Sequence, residues 1–221
     1  MNPDRSSQHK IITVVLVLVI LTAIGSVVYH FRSPTVVVNR DLAVGLGQAV
    51  ATETVKLLHD RGRMGVIITP YHEMEGLREY DTWQAFKAAL QQHPQIQIVE
   101  TEIANTEPPI EYGLTRTRLD KILTAHPELD GVVSFYGIAQ WDPRAPFELP
   151  RNDLKIIAVQ NGSFAIKPYF AKGSLAVAIV RREIPAPNSA MPRTPADWFT
   201  QNYQVFTVEN YQSLPDEEAP Q

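Results

Sequence analysis

The chain has 221 residues, a formal net charge of −4 and no cysteine. The lack of cysteine excludes disulfide bonds, thiolate metal sites and a cysteine nucleophile. A mildly acidic chain of this length, without a basic stripe, is long enough for one good-sized domain and lacks the charge expected of a nucleic-acid-binding protein.

The first hydrophobic segment is residues 11–29, IITVVLVLVILTAIGSVVY. Its length is close to the roughly 20 residues that cross a bilayer as a helix. Two interpretations remain open: a transmembrane anchor behind a cytoplasmic segment, residues 1–10, or a signal peptide cleaved near Ala23–Gly25. The apolar run continues past those small residues, which favours the anchor. Both interpretations place the following residues outside the cytoplasm.

Strand-like and helix-like segments alternate through the rest of the chain. We predict strands at Thr35–Val38, Gly65–Thr69, Gln95–Glu102, Gly131–Ser134, Leu154–Val159, Leu175–Val180 and Tyr203–Val208. We predict helices at Leu42–Asp60, which Asp41 can cap, and at Asp81–Gln92, Tyr112–Ala125 and Phe164–Ala171. Residues 184–197 are rich in proline and predict a loop, and 212–221 predict a disordered tail.

This alternation is typical of βαβ units and predicts an α/β domain, residues 30–211, with a doubly wound, mostly parallel sheet. The nearly continuous apolar strands support it, because parallel strands are buried on both faces. The ligands of such sheets bind just beyond the carboxyl ends of the strands.

The motifs that would indicate catalysis or a cofactor are weak. Gly45-Leu46-Gly47 lacks the third glycine of a dinucleotide-binding loop and lies inside a predicted helix. His72-Glu73-Met74-Glu75 has no second histidine nearby, so a solvated loop is a simpler interpretation than a metal site. There is no Gly-x-Ser-x-Gly motif. We therefore expect no catalytic residues, no metal and no cofactor.

Five sequence segments, in the same order as in the family, resemble the type I periplasmic sugar-binding proteins, the ribose-binding-like family. They are VVVNRDLAVGLGQAVATETVKLLHDRGRMGVIIT, TWQAFKAALQQHPQIQIVE, ILTAHPELDGVVSF, KIIAVQNGSFAIKPYFAKGSLAVAIV and QVFTVEN. The resemblance covers about residues 35–211 and corresponds to the carboxyl-terminal lobe of these two-lobed proteins. It implies a single-lobe relative that is not an enzyme.

The resemblance also implies four ligand-binding positions, at which this sequence has Thr82, Tyr136, Asn161 and Arg181. The family has an arginine, an Asn-Asp pair, an aspartate and a glutamine there. The loss of charged and amide groups puts sugar binding of the family type in doubt, because recognition of hydroxyl groups depends on fixed polar partners.

Two functions are therefore expected as alternatives. In the first, the domain binds a sugar or a similar small solute in transport or sensing. In the second, it has lost the ligand and is a protein-interaction or scaffold subunit of a membrane assembly, with Phe135 and Tyr136 as its interaction surface. The alternative for these two aromatic residues is that they pack under the loop at 138–150. Either function makes a protein partner or a homo-oligomer plausible, whereas nucleic acid is not an expected partner.

Overall fold

The computed structural model describes residues 39–104, 113–139, 148–160, 166–183 and 191–214. The chain divides into two compact units, Met1–Val38 and Asn39–Gln221. The predicted membrane span at 11–29, the strand at 35–38 and the tail beyond residue 214 lie outside the described residues. Within the described ranges, no helix is both long enough and apolar enough to cross a membrane.

The described part of the second unit is built around a six-stranded sheet with the order β2-β1-β3-β4-β5-β6. The strands are β1 Gly62–Ile68, β2 Ile96–Ile103, β3 Gly131–Ser134, β4 Lys155–Gln160, β5 Val177–Arg181 and β6 Tyr203–Thr207. The helices are α1 Arg40–Leu57, α2 Arg78–Leu90, α3 Arg116–Ala125, α4 Lys167–Ala171 and α5 Pro195–Asn202. All neighbouring strands are parallel except β6, which is antiparallel to β5. The mostly parallel α/β sheet expected from the sequence is confirmed.

Two hydrophobic cores lie on opposite faces of the sheet. Helices α1, α2 and α5 pack on one face, and α3 and α4 pack on the other. Successive strand residues point to opposite cores: Ile156 belongs to the α3–α4 side and Ile157 to the α1–α2 side. This period of two explains why the strand segments are apolar at almost every position.

Several element boundaries differ from the sequence-based expectations. Asn39, and not Asp41, caps α1, because its side-chain oxygen accepts the Leu42 backbone N–H at 3.1 Å. Helix α2 begins at Arg78 instead of Asp81, and α3 begins at Arg116 instead of Tyr112. The proline-rich segment ends in a helix that the sequence analysis missed, α5, which starts with a capping box between Thr194 and Asp197.

Gly45 and Gly47 let helices pack unusually close to α1. A Cβ atom at Gly47 would collide with the Thr82 carbonyl oxygen of α2, and one at Gly45 with the Pro195 carbonyl oxygen of α5. These glycines therefore allow close helix packing. That role explains their presence without a nucleotide-binding loop.

We expect the substitution Gly47→Ala to lower the free energy of unfolding by about 1–3 kcal/mol, the usual cost of overpacking. The sign of the stability change tests the packing, because in a solvent-exposed helix alanine would instead stabilise the fold by about 1 kcal/mol relative to glycine. Urea unfolding of the full chain measures the change. The exposed Gln48→Ala variant of the same helix is the control and should change stability by less than about 0.5 kcal/mol. A neutral or stabilising Gly47→Ala would contradict the close approach of α1 and α2.

Candidate functional site

The carboxyl ends of β1, β3, β4 and β5 form one edge of the sheet, which we call the carboxyl edge. The first turn of α2 and the amino end of β6 lie at the same edge. The strand order places the topological switch point between β1 and β3, since α2 leaves β1 on one face and α3 enters β3 on the other. Ligands of doubly wound sheets bind at such a point.

An aromatic cluster fills the switch point. The Phe135 ring, which directly follows β3, lies 5.2 Å from the Phe86 ring, 5.4 Å from that of His72 and 6.1 Å from that of Trp83. Phe135 is only 9% exposed. Its edge-to-face contacts with Phe86 and Trp83 are a geometry that aromatic pairs prefer. The crevice between β1 and β3 is thus occupied by side chains of the protein itself.

His72 lies in the short 3₁₀ turn Pro70–Glu73 that follows β1, and it is 4% exposed. Its Nδ1 accepts the Thr69 backbone N–H at 3.2 Å and lies 3.0 Å from the Thr69 hydroxyl. An acceptor Nδ1 requires the neutral tautomer with the proton on Nε2. Burial lowers the pKa of His72 to about 4, so the ring is neutral at neutral pH.

The end of β4 carries a polar group in an unusual position. Gln160 is 7% exposed, and its Nε2 has no hydrogen-bond partner among the described residues. Its amide lies against Gly137, where a Cβ atom would collide with the Gln160 Oε1. Gly137 has a φ of +76°, which favours glycine. An unsatisfied buried amide is costly, about 1–3 kcal/mol, so this group calls for an explanation.

Charged groups converge on the β5–β6 side of the carboxyl edge. Arg181 ends β5, is exposed, and pairs in register with Tyr203 of β6. Arg78, in the first turn of α2, lies 3.3 Å from Glu79. Burial raises the pKa of the Tyr203 phenol, and the charges of Arg78 and Arg181 oppose that rise.

The structure separates the residues that the resemblance implied. Arg181 lies at the carboxyl edge, whereas Thr82 is 3% exposed and its hydroxyl donates to the Arg78 carbonyl of its own helix. Tyr136 is half-buried against the α3–α4 core. Asn161 lies outside the described residues. For Phe135 the sequence left open an exposed interaction surface or packing under a loop; the structure buries the ring against Trp83 and Phe86.

Sequence reasoning missed three residues of this edge: His72 as a packed histidine, Arg78 and Gln160. Arg78 lies one helical turn before Thr82, so it shares a helix face with the position where an arginine was implied. Gln160 directly precedes Asn161. The sequence did not indicate that its amide is buried, because a glutamine at a strand end is usually solvated.

Within the described ranges no group of histidine and acidic side chains could hold a metal ion.

Comparison with known proteins finds solved structures with a similar fold. No protein-family model matches the chain, and no curated protein matches it. An arabinose binding protein from Geobacillus stearothermophilus is 16% identical with a TM-score of 0.55, and the match covers 79% of this chain and 63% of that one. The sugar-binding protein of a sugar ABC transporter from Bacillus halodurans is 15% identical with a TM-score of 0.53, covering 78% and 64%.

A third similar structure is an ABC transporter solute binding protein from Burkholderia graminis in complex with D-arabinose. It is 15% identical with a TM-score of 0.52, and the match covers 79% of this chain and 62% of that one. The chain spans less than two thirds of the length of each of these three proteins. The chain has the mostly parallel α/β fold of sugar-transporter solute-binding proteins.

Proposed function

We propose that the chain is a membrane-anchored, extracytoplasmic binding domain that holds a sugar or a similar small solute at the carboxyl edge. It acts in transport or sensing and catalyses no reaction. The fold supports this proposal, since similar structures belong to solute-binding proteins of sugar transporters and one of them was solved with D-arabinose. The single-lobe organisation is part of the proposal, as is the anchor at residues 11–29.

The observation that carries the proposal is that the Nε2 of Gln160 has no hydrogen-bond partner among the described residues. A buried unsatisfied amide lowers the stability of the fold, and a ligand that accepts its N–H removes that cost. A hydroxyl group of a solute is a suitable acceptor for this N–H. The exposed guanidinium of Arg181, on the neighbouring strand, supplies further donors at the same edge.

The proposed position of the solute differs from the centre of the switch point, where ligands of doubly wound sheets bind. The crevice between β1 and β3 is filled by Phe135 and His72, so the polar groups that remain lie over β4 and β5. We therefore place the solute off the centre of the sheet, beside Gln160 at the end of β4. Asn161, which follows Gln160 directly, is a further candidate for this site.

The test is a thermal-shift screen of the full chain against pentoses, hexoses and sugar acids. A solute at a hundred times its Kd should stabilise the fold by about 2.7 kcal/mol. For a chain of this size the melting temperature should rise by about 2–4 °C per kcal/mol. The Gln160→Leu variant should lose the shift, and without solute it should be more stable than wild type by about 1 kcal/mol, because the orphaned amide is gone.

Gln97→Leu, at an exposed position of β2, is the matched control and should retain the full shift. A screen without any shift from a cooperatively folded sample would count against solute binding. A Gln160→Leu variant that keeps the shift would show that the solute binds elsewhere.

A second candidate function, a protein-interaction module, is favoured by one observation. The ring cluster fills the switch point, and the neighbouring 3₁₀ turn exposes Tyr71 and Met74, which are 48% and 53% accessible. Large exposed apolar side chains beside a filled crevice are typical of a protein-contacting surface. Flat melting curves across the solute panel favour this function over the first.

A further inference from the structure

The opposite edge of the sheet carries a cavity that the proposed function does not use. It has a volume of about 440 Å³ and lies where α1 ends and β1, β3 and β4 begin. The side chains that surround it include His59 and Arg61 after α1, Asp130 before β3, and Asp153 and Lys155 at the start of β4. This volume lies within the range of small-molecule sites, about 300–1,000 Å³.

The acidic and basic side chains of this cavity differ in what they contact. The Asp130 Oδ2 accepts the Arg63 backbone N–H at 2.7 Å. The Asp153 Oδ1 lies 3.4 Å from the Arg151 Nε. The Asp130 carboxylate is thus held by a neutral backbone donor, whereas the Asp153 side chain is 75% exposed.

The basic side chains of the cavity lack contacts of this kind. Within the described ranges, neither Arg61 nor Lys155 forms a side-chain hydrogen bond or an ion pair, and the same holds for His59. Other basic residues in this part of the chain do have partners, such as Arg63 with Glu128 at 3.1 Å and Lys56 with Glu53 at 2.7 Å. Two unpaired cations on one cavity, with a histidine beside them, make an anion the complementary ligand.

The turn that presents these residues has an uncommon backbone. His59 and Asp60 have φ values of 51° and 62° and are the two non-glycine residues with positive φ among the described residues. Hydrogen bonds hold the turn: the Asp60 backbone N–H donates to the Val55 carbonyl at 3.0 Å, and Asp60 Oδ1 lies 3.0 Å from His93 Nδ1. Residues held in sparsely populated conformations cluster at functional sites.

We propose that this cavity binds a small phosphate ester that carries hydroxyl groups. Arg61 and Lys155 supply the two positive charges that match a phosphate dianion, and His59 adds a nitrogen at the rim. The remaining oxygen of Asp130 accepts from a hydroxyl group of the ligand. The apolar floor formed by Leu57 and Leu58 contacts its carbon atoms. Because the site lies at the edge opposite Gln160 and Arg181, it is independent of the solute site.

The experiment is isothermal titration calorimetry of the full chain with sn-glycerol 3-phosphate, inorganic phosphate and glycerol. We expect saturable binding of glycerol 3-phosphate and none of glycerol, since the phosphate supplies the charge. Inorganic phosphate tests the ester part of the ligand: weaker binding of inorganic phosphate supports recognition of the ester, whereas equal affinity would contradict it.

The double variant Arg61→Gln/Lys155→Gln should weaken binding of glycerol 3-phosphate by at least about tenfold, because it removes both charge-assisted contacts. Lys56→Gln/Lys172→Gln removes the same charge from exposed positions outside the cavity and should leave the Kd within about twofold. Binding that is equal in the two double variants, or no binding of either phosphate probe to wild type, would overturn the proposal.

A second measurement does not depend on the variants being folded. Amide chemical shifts of wild type should respond to glycerol 3-phosphate at Gly62 and Asp130, which border the cavity, and not at Gly137 on the carboxyl edge. Shift changes confined to other parts of the chain would contradict the assigned site.

Discussion

Replacing Phe135 with alanine is expected to lower the free energy of unfolding by about 3–5 kcal/mol, the usual cost of removing a buried phenylalanine side chain. The ring contacts Phe86, Trp83 and His72, so the substitution removes three aromatic contacts and leaves a cavity at the switch point. Urea unfolding of the full chain, followed by tryptophan fluorescence, measures the loss. Trp83 lies in the cluster and reports on it directly.

The matched control is Tyr71→Ala, which removes an aromatic side chain that is 48% exposed on the neighbouring turn. Its effect should stay below about 1 kcal/mol. If Phe135→Ala costs no more than this control, the ring is exposed in solution. The sequence-based hypothesis of an interaction surface at Phe135 would then replace the packed cluster.

Acid is expected to destabilise the fold through His72, by about 3 kcal/mol between neutral pH and pH 4. Burial lowers the pKa of His72 from 6.5 to about 4. Between pH 6.5 and 4, His72 is therefore protonated in the unfolded chain and neutral in the folded chain. Stability from this group is complete above pH 6.5 and falls steadily as the pH drops toward 4. Below that value both states are protonated and the dependence on His72 ends.

The experiment compares the pH dependence of urea unfolding for wild type and the His72→Asn variant. The asparagine carbonyl oxygen can still accept the Thr69 backbone N–H but does not titrate, so the variant should lose most of the slope between pH 6.5 and 5. His93→Asn is the control, since His93 is partly exposed and contacts Asp60 beyond the carboxyl end of α2, not the aromatic cluster. Parallel curves for wild type and His72→Asn would show that another group causes the acid sensitivity.

The fold class was predictable because its determinants are local. Strands such as Gly131–Ser134 are short apolar runs between turn residues, and the observed bounds of β3 agree with the prediction. The alternation of such runs with amphipathic helices leaves few arrangements other than a parallel sheet covered on both faces. Helix starts were less predictable, because α2 begins at Arg78 with no side-chain cap to mark it.

The candidate sites depended on the order of the strands. Arg181 was identified from the sequence, and its position at the end of a strand was enough to place it at the carboxyl edge. Phe135 has the same kind of position, yet it is buried, because α2 brings Trp83 and Phe86 over the end of β3. A position at a strand end therefore predicts the edge at which a side chain lies but not whether it is exposed.

The sequence by itself determined the six described strands, most of the described helices and the α/β class, because hydrophobic periodicity and turn residues act over a few neighbouring positions. Tertiary structure alone decided that Phe135 is packed and that Arg61 and Lys155 share a cavity. It also decided that, among the described residues, the Gln160 Nε2 has no hydrogen-bond partner. These features join residues from segments far apart in the chain. Their burial and charge environment follow from which strands are neighbours, and local sequence patterns do not encode that order.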